Sequence, residues 1–285
     1  MSNYLIMADS GCDICPELLA EWGVKQIQMS FMFENAQFDD KNNIKGFYDC
    51  MRQGGIAKTA AINPDTFYNE FKSVLTDGLD ILYLAFSSGL STTCNSAKIA
   101  AEELAEEFPD RKIAIVDSLC ASAGQGMLIY LVNQKRNEYD SVDQLAAYAE
   151  SIKMNICHWF TVDDLVYLKR GGRVSPTVAF VGGVLGIKPV LHVDNEGHLI
   201  SVSKVRGRAA SIAALAKKYG ELAQDTAGGT VFISHGDCKG DADTLAQMIK
   251  DNYGASVQVI SDIGPVIGAH SGPGTLAMFF VGKER

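Results

Sequence analysis

No stretch of this 285-residue chain approaches the ~20 consecutive apolar residues that a membrane-spanning helix requires. Met1-Ser2-Asn3-Tyr4-Leu5 offers neither a basic region nor an apolar core for a secretory signal, so a cytoplasmic location is expected. A disulfide framework is missing too. The seven cysteines (Cys12, Cys15, Cys50, Cys94, Cys120, Cys157 and Cys238) are odd in number and scattered, which fits reduced cytosolic thiols. Only Cys12 and Cys15 form a C-x-x-C, at the opening of a predicted helix. They read either as a redox pair or as two small residues at a helix start. No second pair stands ready to complete a structural zinc site.

Signatures of the common catalytic classes are also absent. A hydrolase nucleophile elbow needs G-x-S-x-G, but Gly268-Ala269-His270-Ser271-Gly272 places histidine where the serine belongs. No Walker A motif occurs, and Gly124-Gln125-Gly126 lacks the third glycine of a dinucleotide loop. His158, His192, His198, His235 and His270 show no H-E-x-x-H spacing, so neither a metal nor another cofactor is called for. The net charge of −9 argues against nucleic acid as a partner.

That charge is unevenly spread. Between positions 169 and 218, nine basic residues (Lys169, Arg170, Arg173, Lys188, Lys204, Arg206, Arg208, Lys217 and Lys218) face only Asp194 and Glu196. The window carries +7 and leaves −16 for the rest of a chain whose total is −9. It reads as a solvated face or as a docking surface for an acidic or phosphate-bearing partner.

The apolar pattern predicts strands at 4–10, 25–33, 80–86 and 112–118, separated by helices at 16–23, 64–75 and 91–108. Asn63 and Pro64 supply an N-cap and a first helical residue. A long helical stretch at 122–153 breaks near Tyr139-Asp140. Beyond about 155 come strands 156–162, 188–194 and 198–205, the last two joined by the hairpin signal Asp194-Asn195-Glu196-Gly197. Helices at 208–224 and 240–252 then alternate with strands at 229–235, 256–261 and 276–282. This predicts an α/β fold: an N-terminal α/β domain over 1–155 with a mostly parallel sheet, and a C-terminal α+β domain over 156–285 with a mixed or antiparallel sheet.

Polar loops follow the apolar strands: "ADSGCD", "KTAAINP", "FSSGLSTT", "VDSLCASAGQG" and "GAHSGPGT". Ligands of open α/β sheets bind beyond the carboxyl ends of strands, where such loops converge. In "SSGLSTT", Ser87, Ser88 and Ser91 bring hydroxyls, Gly89 permits close approach, and a helix N-terminus follows. This is an anion site or simply an N-cap. A Ser–His–Asp reading would join Ser91 or Ser88 to His270 and to Asp9 or Asp117, making the chain a serine-type acyl hydrolase. Further on, the small and apolar residues of 180–187 line a wide apolar space or form ordinary core.

Seven strings in order, "DSGCDI", "KTAAINP", "SSGLSTT", "DSLCASAGQG", "LVYLKRGGRVS", "IKPVL" before "NEGHL", and "GPVIGAHSGPGTLAMFF", resemble the DegV family. That family includes the fatty-acid-binding subunits of bacterial fatty acid kinase. The resemblance implies a long-chain fatty acid enclosed between two domains and no catalytic residue in this chain. Its carboxylate would be held by Thr59, Ser91 and His270, with Ser88, Gly89, Thr92, Ser271 and Gly272 around the head group. The partner would be a separate ATP-dependent fatty acid kinase, met through Arg173, Arg170, Lys204 and Arg206, with transient membrane contact for acyl exchange. The chain departs from the family's usual Lys-Thr-Ser-Gln-Pro-Ser at Ala60, Ala61, Ile62 and Asn63, and it has Thr92 for glycine and Ser271 for threonine. The loss of polar groups at Ala60 and Ala61 bears on head-group contacts.

Overall fold

The structure is a computed structural model that describes residues 4–38, 40, 43–174 and 186–285. The strands of the first sheet are β1 (Tyr4–Asp9), β2 (Val24–Ile27), β5 (Asp80–Ala85) and β6 (Ile113–Asp117), in the order β2-β1-β5-β6 and all parallel. Three of the four are short, mostly apolar runs, as parallel strands are, whereas β2 carries Lys25 and Gln26. Helices Pro64–Thr76 and Thr93–Glu107 bury Phe67, Phe71, Ala97 and Leu104 against one face, together with Ile81 and Tyr83. Asn63 caps the first of these through Thr66 N–H at 2.8 Å, as its position before Pro64 predicts.

Against the other face lies the helix Ala123–Lys135. It is apolar on all sides, which demands cover on all sides. Met127, Leu128 and Ile129 are fully buried between Leu82 and Leu84 of the parallel sheet and Phe232 and Phe279 of a second sheet. That second sheet has six strands in the order β11-β10-β12-β7-β8-β9: β7 (Ile156–Thr161), β8 (Ile187–Val193), β9 (Leu199–Arg206), β10 (Val231–His235), β11 (Val257–Asp262) and β12 (Leu276–Val281). Only β10 and β11 run parallel; the remaining pairs are antiparallel, so the sheet is mixed. Alternation along β12 sends Ala277 and Phe279 toward the shared core and Leu276, Met278 and Phe280 toward helices Arg208–Leu222 and Lys239–Tyr253. The chain changes sheet at Ile156, yet one apolar core runs through both halves. Among the described residues, no helix is long and apolar enough to cross a membrane.

Four elements differ from the sequence reading. The expected strand 25–33 is two: β2 in the parallel sheet, and β3 (Ser30–Phe33), which leaves it to pair with β4 (Ala57–Ala60) as a separate ribbon. "KTAA" is therefore strand rather than loop. A helix, Ile44–Arg52, precedes it, capped by Asn43 through Gly46 N–H. "GPVIGAHS" is also not a loop: Pro265–Ser271 is helical, with Pro265 in its first turn. Of the small-residue segment 180–187, positions 180–185 lie outside the described residues.

Candidate functional site

The strand order places a topological switch between β1 and β5, and the loops leaving β1, β5 and β6 meet there. Asp9 ties them. Its fully buried carboxyl accepts hydrogen bonds from Gly11 N, Phe86 N, Tyr83 Oη and Gln125 Nε2, at 2.7–3.2 Å. Burial raises its pKa despite these donors. Asp117 instead accepts from Ser88 N and Leu119 N, both at 3.1 Å. Both aspartates brace loops, and neither orients His270.

Beside this junction opens a cavity of about 500 Å³, in the ~300–1,000 Å³ range of ligand pockets. Its walls are largely apolar: Phe86, Phe160, Val266, Ala277 and Phe279 are all buried and line it. The polar groups include Thr59, Ser88, Ser91, Thr92, Arg173, His270 and Ser271. Residues far apart in sequence thus converge. Inward–outward alternation along β4 turns Thr59 in and Lys58 out, where Lys58 pairs with Glu34.

Thr59 Oγ1 lies 2.7 Å from His270 Nε2. The other ring nitrogen, Nδ1, is buried without a partner among the described residues. It rests on Gly171, where a Cβ would come within 2.2 Å of it, so only glycine allows this approach. Burial first, and the Arg173 charge second, lower the His270 pKa to about 4. The ring is neutral at physiological pH. Which nitrogen holds the proton follows from the neighbours: a lone pair at Nδ1 suits a nearby guanidinium, whereas an N–H there would be an unsatisfied donor. We therefore assign the proton to Nε2. His270 then donates to Thr59, and the Thr59 hydroxyl proton is left to point at a ligand.

Ser91 stands just before the Thr93–Glu107 helix, whose N-cap residue, Thr92, makes no side-chain cap bond. The Ser91 Oγ accepts Thr93 N–H at 3.2 Å and lies 2.9 Å from Thr93 Oγ1. Either hydroxyl can donate across this pair; with Thr93 as donor, the Ser91 proton is free for a ligand. Neither Ser88 nor Ser91 is hydrogen-bonded to His270, so the nucleophile–base pair that an acyl hydrolase needs is not formed.

Arg173 points inward rather than out toward a docking surface. Its Nε and Nη2 donate to Leu90 O at 3.3 and 3.1 Å, and its Nη1 donates to Gly171 O. The positive φ of Gly172 lets the chain double back to place it there. No carboxylate pairs with it among the described residues, and burial lowers its pKa. A cation on the cavity wall without a counter-ion is half of an ion pair.

The other expected residues divide. Ser88 and Thr92 are exposed at the rim, and Ser271 is buried with an unpartnered hydroxyl. Gly89 and Gly272 are packing sites instead: Gly89 presses on the Glu196 and Gly197 backbone, and Gly272 lies under the Tyr167 ring. Ala61 lines the cavity, whereas Ala60 is exposed at the end of β4. Cys12 and Cys15 are free thiols, one buried and one exposed, and burial pushes the Cys12 thiol up to about 12, away from a reactive thiolate.

The basic window also divides. Asp163 pairs with Lys188 at 2.6 Å and with Arg208 at 3.6 Å, while Asp241 holds Arg208 at 2.8 Å. Glu221 takes Lys217 and Lys218. Lys169, Arg170, Lys204 and Arg206 stay exposed, without an ion pair among the described residues. Arg170 lies over the Tyr167 ring at 5.9 Å. Pattern alone does not separate these classes, because the pairing acids Asp163, Glu221 and Asp241 all lie outside the window.

Comparison with known proteins matches residues 3–283 to a family model described as "Uncharacterised protein, DegV family". A DegV domain-containing protein of Clostridium perfringens is 39% identical, covering 100% of this chain and 99% of its own length. A DegV lipid-binding protein from Thermotoga maritima superposes with a TM-score of 0.85 at 26% identity, covering 100% of both chains. A DegV family protein from Thermus thermophilus, described as fatty-acid binding, gives 0.86 at 26% identity over 98% of this chain and 99% of that one.

Proposed function

Since this chain belongs to the DegV family, we propose that it encloses a long-chain fatty acid between its two halves and presents the carboxylate to a separate ATP-dependent kinase. The observation that carries the ligand reading is an apolar cavity whose polar groups include hydroxyl donors and Arg173, which no carboxylate pairs among the described residues. Burying a carboxylate without replacing its water costs several kcal/mol. Thr59, Ser91 and the neutral His270 relay would supply hydrogen bonds, and Arg173 the counter-charge. The tail would supply affinity: at ~0.8 kcal/mol per methylene, about 15 methylenes give roughly 12 kcal/mol gross, reduced by ordering and association.

Mass spectrometry of an organic extract of the purified protein tests this. About one equivalent of long-chain fatty acid per chain is expected. An empty extract, together with no uptake of added hexadecanoic acid, would remove the reading.

The kinase half rests on charge. Asp163 binds both Lys188 of β8 and Arg208 after β9, and it lies three residues before the Val166–Arg170 helix. Lys204 and Arg206 lie two residues apart on β9, opposite Pro189 and Ile187, and so share one face of the sheet. Lys204 and Arg206 stand on an edge strand, where charge also guards against aggregation. Lys204→Glu with Arg206→Glu is expected to leave fatty acid bound but to cut acyl-phosphate formation at least tenfold. Unchanged turnover with the kinase would reduce these residues to edge protection.

A further inference from the structure

His270 stands on a helix too short to hold itself. Pro265–Ser271 has seven residues, well under the ~12–15 at which an isolated helix becomes even marginal in water. Whatever fixes the imidazole against Thr59 must therefore lie outside the helix. At its N-terminal end the anchor is Asp13. One carboxyl oxygen of Asp13 accepts Gly264 N–H, at the helix N-cap, at 2.8 Å. The other accepts the Ser122 hydroxyl at 2.5 Å. Ser122 lines the cavity and lies 2.9 Å from Ser234 Oγ on β10.

A single carboxyl, itself 7% exposed, thus joins the helix that carries the head-group donor to the cavity wall. Both ends of its bond to Ser122 are conformationally unusual. Asp13 has φ 50° and ψ 34°, and Ser122 has φ 54° and ψ −147°. Side chains persist in such regions only where the surroundings over-determine them, and this happens disproportionately at ligand sites. Two other contacts steady the short helix: Tyr48 Oη donates to Ile263 O at 2.9 Å, and Thr275 Oγ1 donates to Ser271 O at 2.9 Å. Neither reaches the cavity wall at Ser122.

We propose that Asp13 is a positioning residue: by gripping Gly264 and Ser122 at once, it sets the His270 helix and the cavity wall in one register and thereby governs ligand affinity. This rests on the carboxylate-binding reading above. Asp13→Asn keeps an oxygen for Gly264 N–H and tolerates the left-handed backbone. Its amide can donate to Ser122 while Ser122 donates to Ser234. Asp13→Ser is too short to reach Gly264. Ser234→Ala perturbs the same network but leaves both Asp13 bonds in place.

The test compares the four full-length proteins by calorimetric titration with hexadecanoic acid, by Tm, and by the imidazole ¹⁵N shifts of His270. Asp13→Ser is expected to weaken binding at least tenfold and to move the His270 shifts. Asp13→Asn should stay within threefold of the parent. Ser234→Ala should lower Tm and leave both affinity and shifts unchanged. Parent-like affinity with unmoved shifts in Asp13→Ser would overturn the proposal, as would a loss of affinity in Ser234→Ala that tracks its Tm. Should Asp13→Ser not fold, Asp13→Glu, which displaces the carboxyl by one methylene, carries the same expectation. If no protein binds hexadecanoic acid but the His270 shifts still move in Asp13→Ser, the fatty-acid reading fails and the positioning role stands.

Discussion

Replacing Ala277 by Trp is expected to weaken hexadecanoic acid binding about 200-fold while decanoic acid stays within threefold of the parent. Ala277 lies on β12 opposite Phe160 of β7, and both side chains line the cavity with Phe279. Ala277 belongs to the shared core and also borders the cavity, so an indole here can extend into the cavity, and Tm reads whatever overpacking it causes. It would take the place of the distal part of the tail. Excluding about four methylenes at ~0.8 kcal/mol each removes roughly 3 kcal/mol, which is a factor of about 200. A ten-carbon acid that ends before that point keeps its head-group contacts. Calorimetric titration of both acids, with Tm as a control, reads the difference. Equal losses for both acids at an unchanged Tm would mean that the tail does not run toward Ala277. No loss for either would place the ligand outside this cavity.

How much of this was legible in the sequence depended on what holds each element. The strands β1, β5 and β6 are continuous apolar runs, and Asn63-Pro64 is a local start signal, so these elements are encoded within their own residues. The Ala123–Lys135 helix was legible for the same reason, and its apolar character on every side matches its place between two sheets. The Pro265–Ser271 helix was not, because seven residues containing Gly268 show no periodicity and are held by Asp13 and Tyr48, more than 200 positions away in sequence. The break between β2 and β3 was invisible for a related reason. Met29 N–H bonds to Ser10 Oγ, a contact from another loop, just where the chain leaves the parallel sheet.

The site divides in the same way. Thr59, Ser91 and His270 came from resemblance, and the structure brings all three to one cavity. That Arg173 turns inward depends on Gly172 and on the Leu90 carbonyl 83 positions earlier. Charge counting over a window cannot register such a turn. It also counts Lys188 and Arg208 as free cations, although Asp163 and Asp241 engage them from outside the window.

Stability against pH should separate His270 from Asp13, because their shifts act in opposite directions. For His270, burial lowers the folded pKa from 6.5 to about 4. Between those values the unfolded chain binds a proton that the folded chain refuses. Its contribution is therefore complete above pH 6.5 and is lost as pH falls through 4. Against a His270→Gln protein, which has no imidazole to charge, the ligand-free parent should lose about 2 kcal/mol by pH 5 and at most about 3 kcal/mol in all. For Asp13, burial raises the folded pKa from 3.8 to about 8, with the charges of Asp262 and Asp9 adding to it and the Ser122 and Gly264 hydrogen bonds opposing it. Here the folded chain holds the extra proton, so the contribution is complete below pH 3.8 and is lost as pH rises through 8. Relative to Asp13→Asn, neutral at every pH, the parent should weaken on the alkaline side while it gains against His270→Gln. Denaturant unfolding of the three proteins from pH 4.5 to 8.5 gives both differences. Opposite slopes would show that the fold buries a neutral imidazole and a protonated carboxyl on either side of one short helix. A flat His270→Gln difference would mean that the imidazole titrates as a solvated group, and the hydrogen bond to Thr59 would then be too weak to present a ligand-facing proton.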